Sequence, residues 1–390
     1  VADDPKGAAA LDLWLDQKDA LLAGRTPRTK VEGFTVQELV NRFLSAKRHL
    51  LDTREIGPRT FSELFATCQR VGDGFGWDRL VVDLAADDFD RLRRQIAKQW
   101  GPVRLGNEIQ RIRSLFKFGF EAGLIEHPIR YGATFKKPSR KVLRLERAKK
   151  GPRMLEAADL GRLIEKAGTP LKAMILLGLN CGFGNSDVAS LPVHALDLKA
   201  GWVTYPRPKT GINRRCSLWT ETVAAIQEAL AKRPRPHKRE HDALLFITKY
   251  GRPWRCSEAT EANGQEDGEQ NGEPKLNQDD AVADEQNGKP KLKQDDAVAK
   301  EFIKLLKALK LHRPGLGFYS LRHTFETIGG DGGDQVAVDA IMGHAREDMA
   351  SLYRERVNDD RLRRVTDHVH TWLHATDKQD QGAAVAAAAE

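Results

Sequence analysis

Residues 136–153 read KKPSRKVLRLERAKKGPR. Half of them are Lys or Arg, Glu146 is the one acid, and two are proline. So dense a positive run cannot enter an apolar core, because unpaired charge is too costly to bury. The chain is therefore expected to fold as two parts, each with its own core. The stretch between them reads as an extended basic linker, with a solvated connector as the plain alternative. The length of 390 residues agrees, since domains seldom exceed about 250 residues.

The first part reads as helical. Thr35 and Glu38 have the spacing of a capping box, and Phe34 with Leu39 that of a hydrophobic staple. Val36, Leu39, Val40, Phe43 and Leu44 then recur at helical spacing. Further helices are predicted from Pro58 (Phe61, Leu64, Phe65, Cys68), from Asp87 to about Trp100, and from near Pro102 (Leu105, Ile109, Ile112, Phe116, Phe120). The last has Arg104, Arg111, Arg113 and Lys117 on its flanks. Residues 1–33 read as an amino-terminal arm, and 34–135 as a four-helix domain.

The second part runs from 154 to 375. Helices are predicted at Ala157–Ala167 and Leu171–Leu179, from Glu221, and from about Ala299. Trp202–Tyr205 and Arg215–Trp219 flank a Gly turn, Lys209-Thr210-Gly211, and read as a β-hairpin. The fold class is thus mainly α, with a small antiparallel β-sheet. Glu269–Asp284 and Glu285–Lys300 are tandem copies of one polar 16-residue unit. Two such copies cannot bury enough apolar surface to order themselves, so 257–300 is expected to be a disordered insertion. The tail 376–390 is expected to be disordered as well.

Between Ser257 and Lys300 there are 12 acids and 5 bases, a net of −7, so the remainder carries +15 against +8 for the whole chain. A body that basic suits a polyanion, nucleic acid first. No stretch reaches the roughly 18 apolar residues of a membrane span, and no charged-then-apolar secretory signal is seen. Four dispersed cysteines without a CxxC pair argue against a disulfide framework or zinc finger, and for a reducing cytoplasm. His370 and His374, at i and i+4, would suit a metal on a helix, but no third ligand stands out, so no metal is expected. The glycines of 329–333 do not form a nucleotide-binding loop.

The chemistry concentrates near the end. Tyr319-Ser320-Leu321-Arg322-His323-Thr324-Phe325 is followed by Met342-Gly343-His344, with Tyr353 nine residues further on. A phenol can attack a phosphodiester and form a covalent phosphotyrosine. An arginine fork can hold two phosphate oxygens as charge builds on them, and a histidine can hydrogen-bond the phosphate or move a proton.

At these residues the chain resembles the tyrosine recombinases of the phage integrase family. Arg322 matches that family's second catalytic arginine, His344 its His/Trp position, Tyr353 its nucleophile, and Lys209 the mobile lysine that protonates the leaving 5′ oxygen. Residues 34–135 resemble its core-binding domain, and 154–375 its catalytic domain. The resemblance implies a site-specific recombinase that cuts and rejoins double-stranded DNA through a 3′-phosphotyrosine. It would work without ATP, metal or other cofactor, as a homo-tetramer on paired sites, in a cytoplasmic, DNA-associated setting. Lys136, Lys137, Arg140 and Lys141 of the linker, with Arg111, are the DNA-backbone candidates.

Two positions depart from the pattern. Gly184, in Cys181–Val188, stands where the family carries its first catalytic arginine, and Tyr319 stands where it carries His or Lys. Arg207, Arg214 or Arg215 near the hairpin turn could substitute. The alternative reading is a DNA-binding relative that has lost strand cleavage.

Overall fold

A computed structural model describes residues 33–258 and 293–375 except Glu347, together with Leu11, Trp14, Leu15, Lys18 and Leu22. Most of the amino-terminal arm, the body of the insertion and the tail lie outside the described residues. The chain forms two compact units that divide between Leu143 and Arg144.

The first unit is built from α1 (Val36–Asp52), α2 (Pro58–Phe75), α3 (Ala86–Gln99) and α4 (Pro102–Glu121). The capping box at the start of α1 is formed: Thr35 Oγ1 accepts the Glu38 N–H at 3.2 Å, and Glu38 Oε2 accepts the Thr35 N–H at 2.8 Å. Proline begins α2 and α4, where its fixed φ suits the first turn and its missing N–H is not needed. Phe89 of α3 lies at the heart of the core. Its ring meets Phe75, Phe116, Phe135 and Tyr131 edge-on at centroid distances of 5.0, 5.4, 5.2 and 5.0 Å.

The linker is not extended. Arg140–Lys149 forms helix α5, with none of its side chains buried. The two prolines that suggested extended chain lie outside it, at 138 and 152. Between them stand good helix formers without Gly or Pro, and Ser139 Oγ accepts the Val142 N–H at the first turn, at 3.3 Å.

In the second unit, α6 (Ala157–Lys166) leads to α7 (Thr169–Asn180) and the short α8 (Asn185–Ala189). From Ala173 to Asn180 every residue of α7 is buried, as expected of a helix that is apolar all round. β1 (Leu196–Asp197), β2 (Trp202–Thr204) and β3 (Arg215–Ser217) form an antiparallel sheet in that order, with Val203 opposite Cys216. The hairpin pattern accounts for β2 and β3 but not for the two-residue β1. Asn180, fully buried at the end of α7, pins the sheet. Its Nδ2 donates to Ser217 O and its Oδ1 accepts the Trp219 N–H, both at 2.8 Å. Then follow α9 (Thr220–Ala231), β4 (Arg255–Glu258), β5 (Lys293–Asp296), α10 (Ala297–Ala308), α11 (Tyr319–Asp331), α12 (Gln335–Met342), α13 (Met349–Leu352) and α14 (Asp359–Leu373). The fold is mainly α with a small antiparallel sheet.

The insertion begins later and ends earlier than its composition suggested. β4 and β5 pair antiparallel from Arg255↔Asp296 to Glu258↔Lys293, so 257–258 and 293–296 are strand and 297–300 is helix. The second copy of the repeat supplies part of this structure because Val298, in its DDAVAK segment, is fully buried in the first turn of α10. Asp296 also caps α10 by accepting the Ala299 N–H at 2.9 Å.

Candidate active site

Arg322 sits in the first turns of α11, between Leu321 and Phe325, both fully buried. This anchoring leaves its guanidinium buried, 2 % exposed, in a cradle of backbone carbonyls. Nη1 donates to Gly182 O at 2.7 Å, and Nη2 to Met342 O at 2.8 Å. Nη2 also lies 2.9 Å from His344 Nε2. Arginine only donates, so Nε2 accepts and the imidazole proton is on Nδ1. That nitrogen faces Asp339 Oδ1 at 3.3 Å and Glu326 Oε2 at 3.6 Å. The carboxylates thus fix the ring orientation of His344. Three of arginine's five N–H directions are engaged, and two remain for an incoming anion.

The hairpin loop closes over the same place. Gly343 ends α12 in the left-handed region at φ 64°, and a Cβ there would meet Arg214 Cδ at 2.8 Å and Arg207 Cβ at 3.0 Å. Only glycine lets the chain turn this close to the hairpin. Its carbonyl accepts Arg207 Nη1 at 3.1 Å and the Thr210 hydroxyl at 3.4 Å. Two guanidinium groups therefore hang from successive carbonyls, Arg322 from Met342 and Arg207 from Gly343. Burial and then the nearby Arg207 charge pull the Arg322 pKa below its ordinary value, against Tyr319 and Asp187. Such like-charge crowding favours an anion between the two groups.

Arg214 is near but differently employed. Its side chain is buried, Nη2 pairs with Asp187 Oδ1 at 3.0 Å, and Nε donates to Tyr205 O at 3.0 Å. The guanidinium lies 4.4 Å from the Phe183 ring centroid. Burial lowers its pKa, with Asp187 working against that. Asp187 Oδ2 also accepts the Gly184 N–H at 2.7 Å, capping α8. Arg215 points elsewhere, into a bidentate pair with Asp359 at 2.9 Å on both arms.

The structure brings Arg322, His344, Arg207, Arg214, Asp187, Gly184 and Tyr319 into one cluster. Tyr319 is 48 % exposed on the outer side of α11, its ring edge-on to His323 at 5.4 Å. Lys209 is exposed in the hairpin loop, beside the Thr210 that touches Gly343. Tyr353 caps α13 and is 78 % exposed, and no hydrogen bond joins it to Arg322 or His344 among the described residues. Lys136, Lys137, Arg140 and Lys141 are all exposed. The Arg111 guanidinium closes on Glu63 and Glu108, the latter fully buried and also held by Arg70 at 2.6 Å. It neutralises a buried acid. Sequence reasoning missed Asp187 and Asp339, whose parts depend on contacts to residues distant in the chain or on the α12 turn.

The phage integrase family matches residues 147–359. No curated protein matches the chain. Among solved structures, a lambda integrase fragment, as a dimer bound to a COC′ core site, is 12 % identical with a TM-score of 0.55, covering 83 % of this chain and 99 % of its own. A lambda integrase tetramer bound to a Holliday junction is 12 % identical, with a TM-score of 0.56 and coverage of 90 % and 88 %. The Tn1549 transposon integrase in complex with a circular intermediate DNA is 15 % identical, with a TM-score of 0.55 and coverage of 85 % and 98 %. At these identities the structures speak for the fold. The family match spans more than half of the chain and the same residues that form the cluster, so the chain belongs to the phage integrase family of tyrosine recombinases.

Proposed function

We propose that the protein is a site-specific DNA recombinase that breaks and rejoins strands through a 3′-phosphotyrosine. The observation that carries this reading is the Arg322–His344 pair, 2.9 Å apart and oriented by carbonyls and carboxylates. Such a preorganised pair suits a pentacovalent phosphorane, whose equatorial oxygens gain charge. Tyr353, exposed to solvent, attacks the scissile phosphorus and gives its phenolic proton to water, and the 5′ oxygen leaves with a proton from Lys209. The freed 5′-hydroxyl of a partner strand then attacks the phosphotyrosine and releases the phenol. The diester energy is kept in the intermediate, so ATP has no step to drive. Arg207 supplies the second guanidinium that the family draws from the position of Gly184, since it is only partly buried and hangs beside Arg322. The proteins of similar fold are described bound to DNA, one as a tetramer on a Holliday junction. Here too the partners proposed are double-stranded DNA and three further copies of the chain.

A nicked suicide substrate drawn from candidate attachment sequences tests this reading. The wild type is expected to give a covalent protein–DNA band. Tyr353→Phe should abolish it while leaving DNA affinity within about twofold, because the change removes one exposed hydroxyl. An adduct that persists, or maps to another residue, removes Tyr353 from the mechanism. One observation favours a second reading, a binding protein without cleavage: Gly184 contributes only backbone at the first-arginine position. Wild-type protein that binds a defined site and yields no adduct supports that reading.

A further inference from the structure

The sequence places His370 and His374 one helical turn apart near the end of α14, and the fold supplies a third group from a distant element. Glu221, in the first turn of α9, extends Oε1 to 2.6 Å from His370 Nε2 and 3.4 Å from His374 Nε2. The three potential ligand atoms all lie within 4.8 Å of one another. The two imidazole centroids are 4.6 Å apart.

Position is enforced from behind. The Trp219 ring meets His370 edge-on at 5.1 Å. The indole is itself fixed, donating from Nε1 to Thr366 O at 3.0 Å, while the Trp219 backbone N–H is held by Asn180 Oδ1. The three side chains remain 37–41 % exposed, so an ion can enter from solvent and keep water as a further ligand.

A plainer account exists for part of this. An acid in the first turn of a helix is favoured by the helix dipole, and one imidazole hydrogen bond would satisfy it. It does not explain why a second imidazole converges on the same carboxylate oxygen. A four-coordinate Zn²⁺, with bonds of about 2.0–2.2 Å, sets neighbouring ligand atoms roughly 3.3–3.5 Å apart. The observed 2.6 and 3.4 Å from the carboxylate, with all three ligand atoms within 4.8 Å, approach that spacing after a small withdrawal of the carboxylate and an adjustment of the rings. Coordination through Nε2 would place the proton of each ring on Nδ1.

We propose that Glu221, His370 and His374 form a structural site for a divalent transition metal, zinc in the first place, that ties the last turn of α14 to the start of α9. Helix α14 begins at Asp359, which pairs with Arg215 beside the hairpin. At 1.5 Å per residue its far end is on the order of 20 Å away. The site thus lies at the other end of α14 from the Asp359–Arg215 pair, and its proposed part is structural.

Calorimetric titration of the chelator-treated full chain with zinc chloride tests the proposal. One zinc per chain is expected to bind at micromolar concentration or tighter, with a rise in Tm. His370→Asn/His374→Asn and, separately, the milder Glu221→Gln should each weaken binding by about tenfold or more. The metal-free variants should melt close to metal-free wild type, which separates loss of a ligand from loss of fold. Asp339→Asn, in the other cluster of acids and histidine, should leave the titration unchanged. Absence of stoichiometric binding, or binding undiminished in both variants, overturns the proposal, and loss of binding in Asp339→Asn alone moves the ion to the Glu326–Asp339–His344 cluster.

Discussion

The ring of Tyr319 crowds the place a side chain on Gly184 would take: a Cβ built there meets Tyr319 Cδ2 and Cε2 at 3.2 Å, so the ring must give way by a few tenths of an ångström. The chain's two departures from the recombinase pattern are thus one packing event. The backbone at Gly184, φ −94° and ψ 179°, is ordinary extended chain that any residue can adopt. The obstacle to an arginine here is the tyrosine, not strain. In an Arg207→Ala background, which lacks the second guanidinium, Gly184→Arg alone should therefore raise adduct formation by less than about tenfold. In the same background Gly184→Arg with Tyr319→His, which clears the space and restores the family's donor, should raise it by about 10²-fold or more. Single-turnover rates on a nicked substrate decide this. A single variant as fast as the double would show that Tyr319 does not stand in the way.

How much of this could be read in advance follows from the range of each signal. The capping box of α1, the prolines opening α2 and α4, and the hairpin strands rest on neighbours in sequence, and their elements form. Arg322, His344, Lys209 and Tyr353 stand out by spacing within short motifs. The coupling of Gly184 to Tyr319, 135 positions apart, has no local trace, and neither has the Asp187–Arg214 pair. Charge density misled at the linker, which forms α5 because helix propensity and prolines at its edges matter more than its charge. The sign of Arg111 carries no trace of the buried Glu108 it pairs with.

Arg207 and Arg214 should separate by assay. The Arg207 side chain is partly buried and makes one hydrogen bond among the described residues, so Arg207→Ala should leave Tm nearly unchanged and slow cleavage by about 10²–10³-fold. Arg214→Ala strips the buried partner from Asp187 and should destabilise the fold by about 3 kcal/mol, seen as a fall in Tm. A full cleavage rate in Arg207→Ala would show that the phosphate is held by another group.

The exposed cations of the basic segment predict a salt signature. Neutralising Lys136, Lys137, Arg140 and Lys141 together should weaken binding to all DNA sequences alike. It should flatten the slope of log K against log salt by about 2–4, at about 0.9 for each phosphate no longer neutralised. Melting should be unaffected, since α5 buries none of its side chains. Fluorescence anisotropy across a salt series reads the slope, and an unchanged value would place these residues away from the backbone.

The insertion should be removable only between its strands. Glu258 and Lys293 are directly paired, so a two-residue Asn-Gly turn can join them and replace residues 259–292 with a tight hairpin. Loop closure depends weakly on length, and Tm is expected to stay within a few degrees. The excised segment is net negative, so DNA affinity should rise at low salt. Cutting 257–300 instead removes half of β4 and all of β5, the Asp296 cap on α10 and the fully buried Val298. Loss of a cap and a buried valine should cost about 3 kcal/mol. Thermal melts of the two deletions side by side make the comparison: equal stability would mean that β4, β5 and the first turn of α10 contribute nothing, and collapse of the shorter deletion would mean that residues 259–292 pack on the fold.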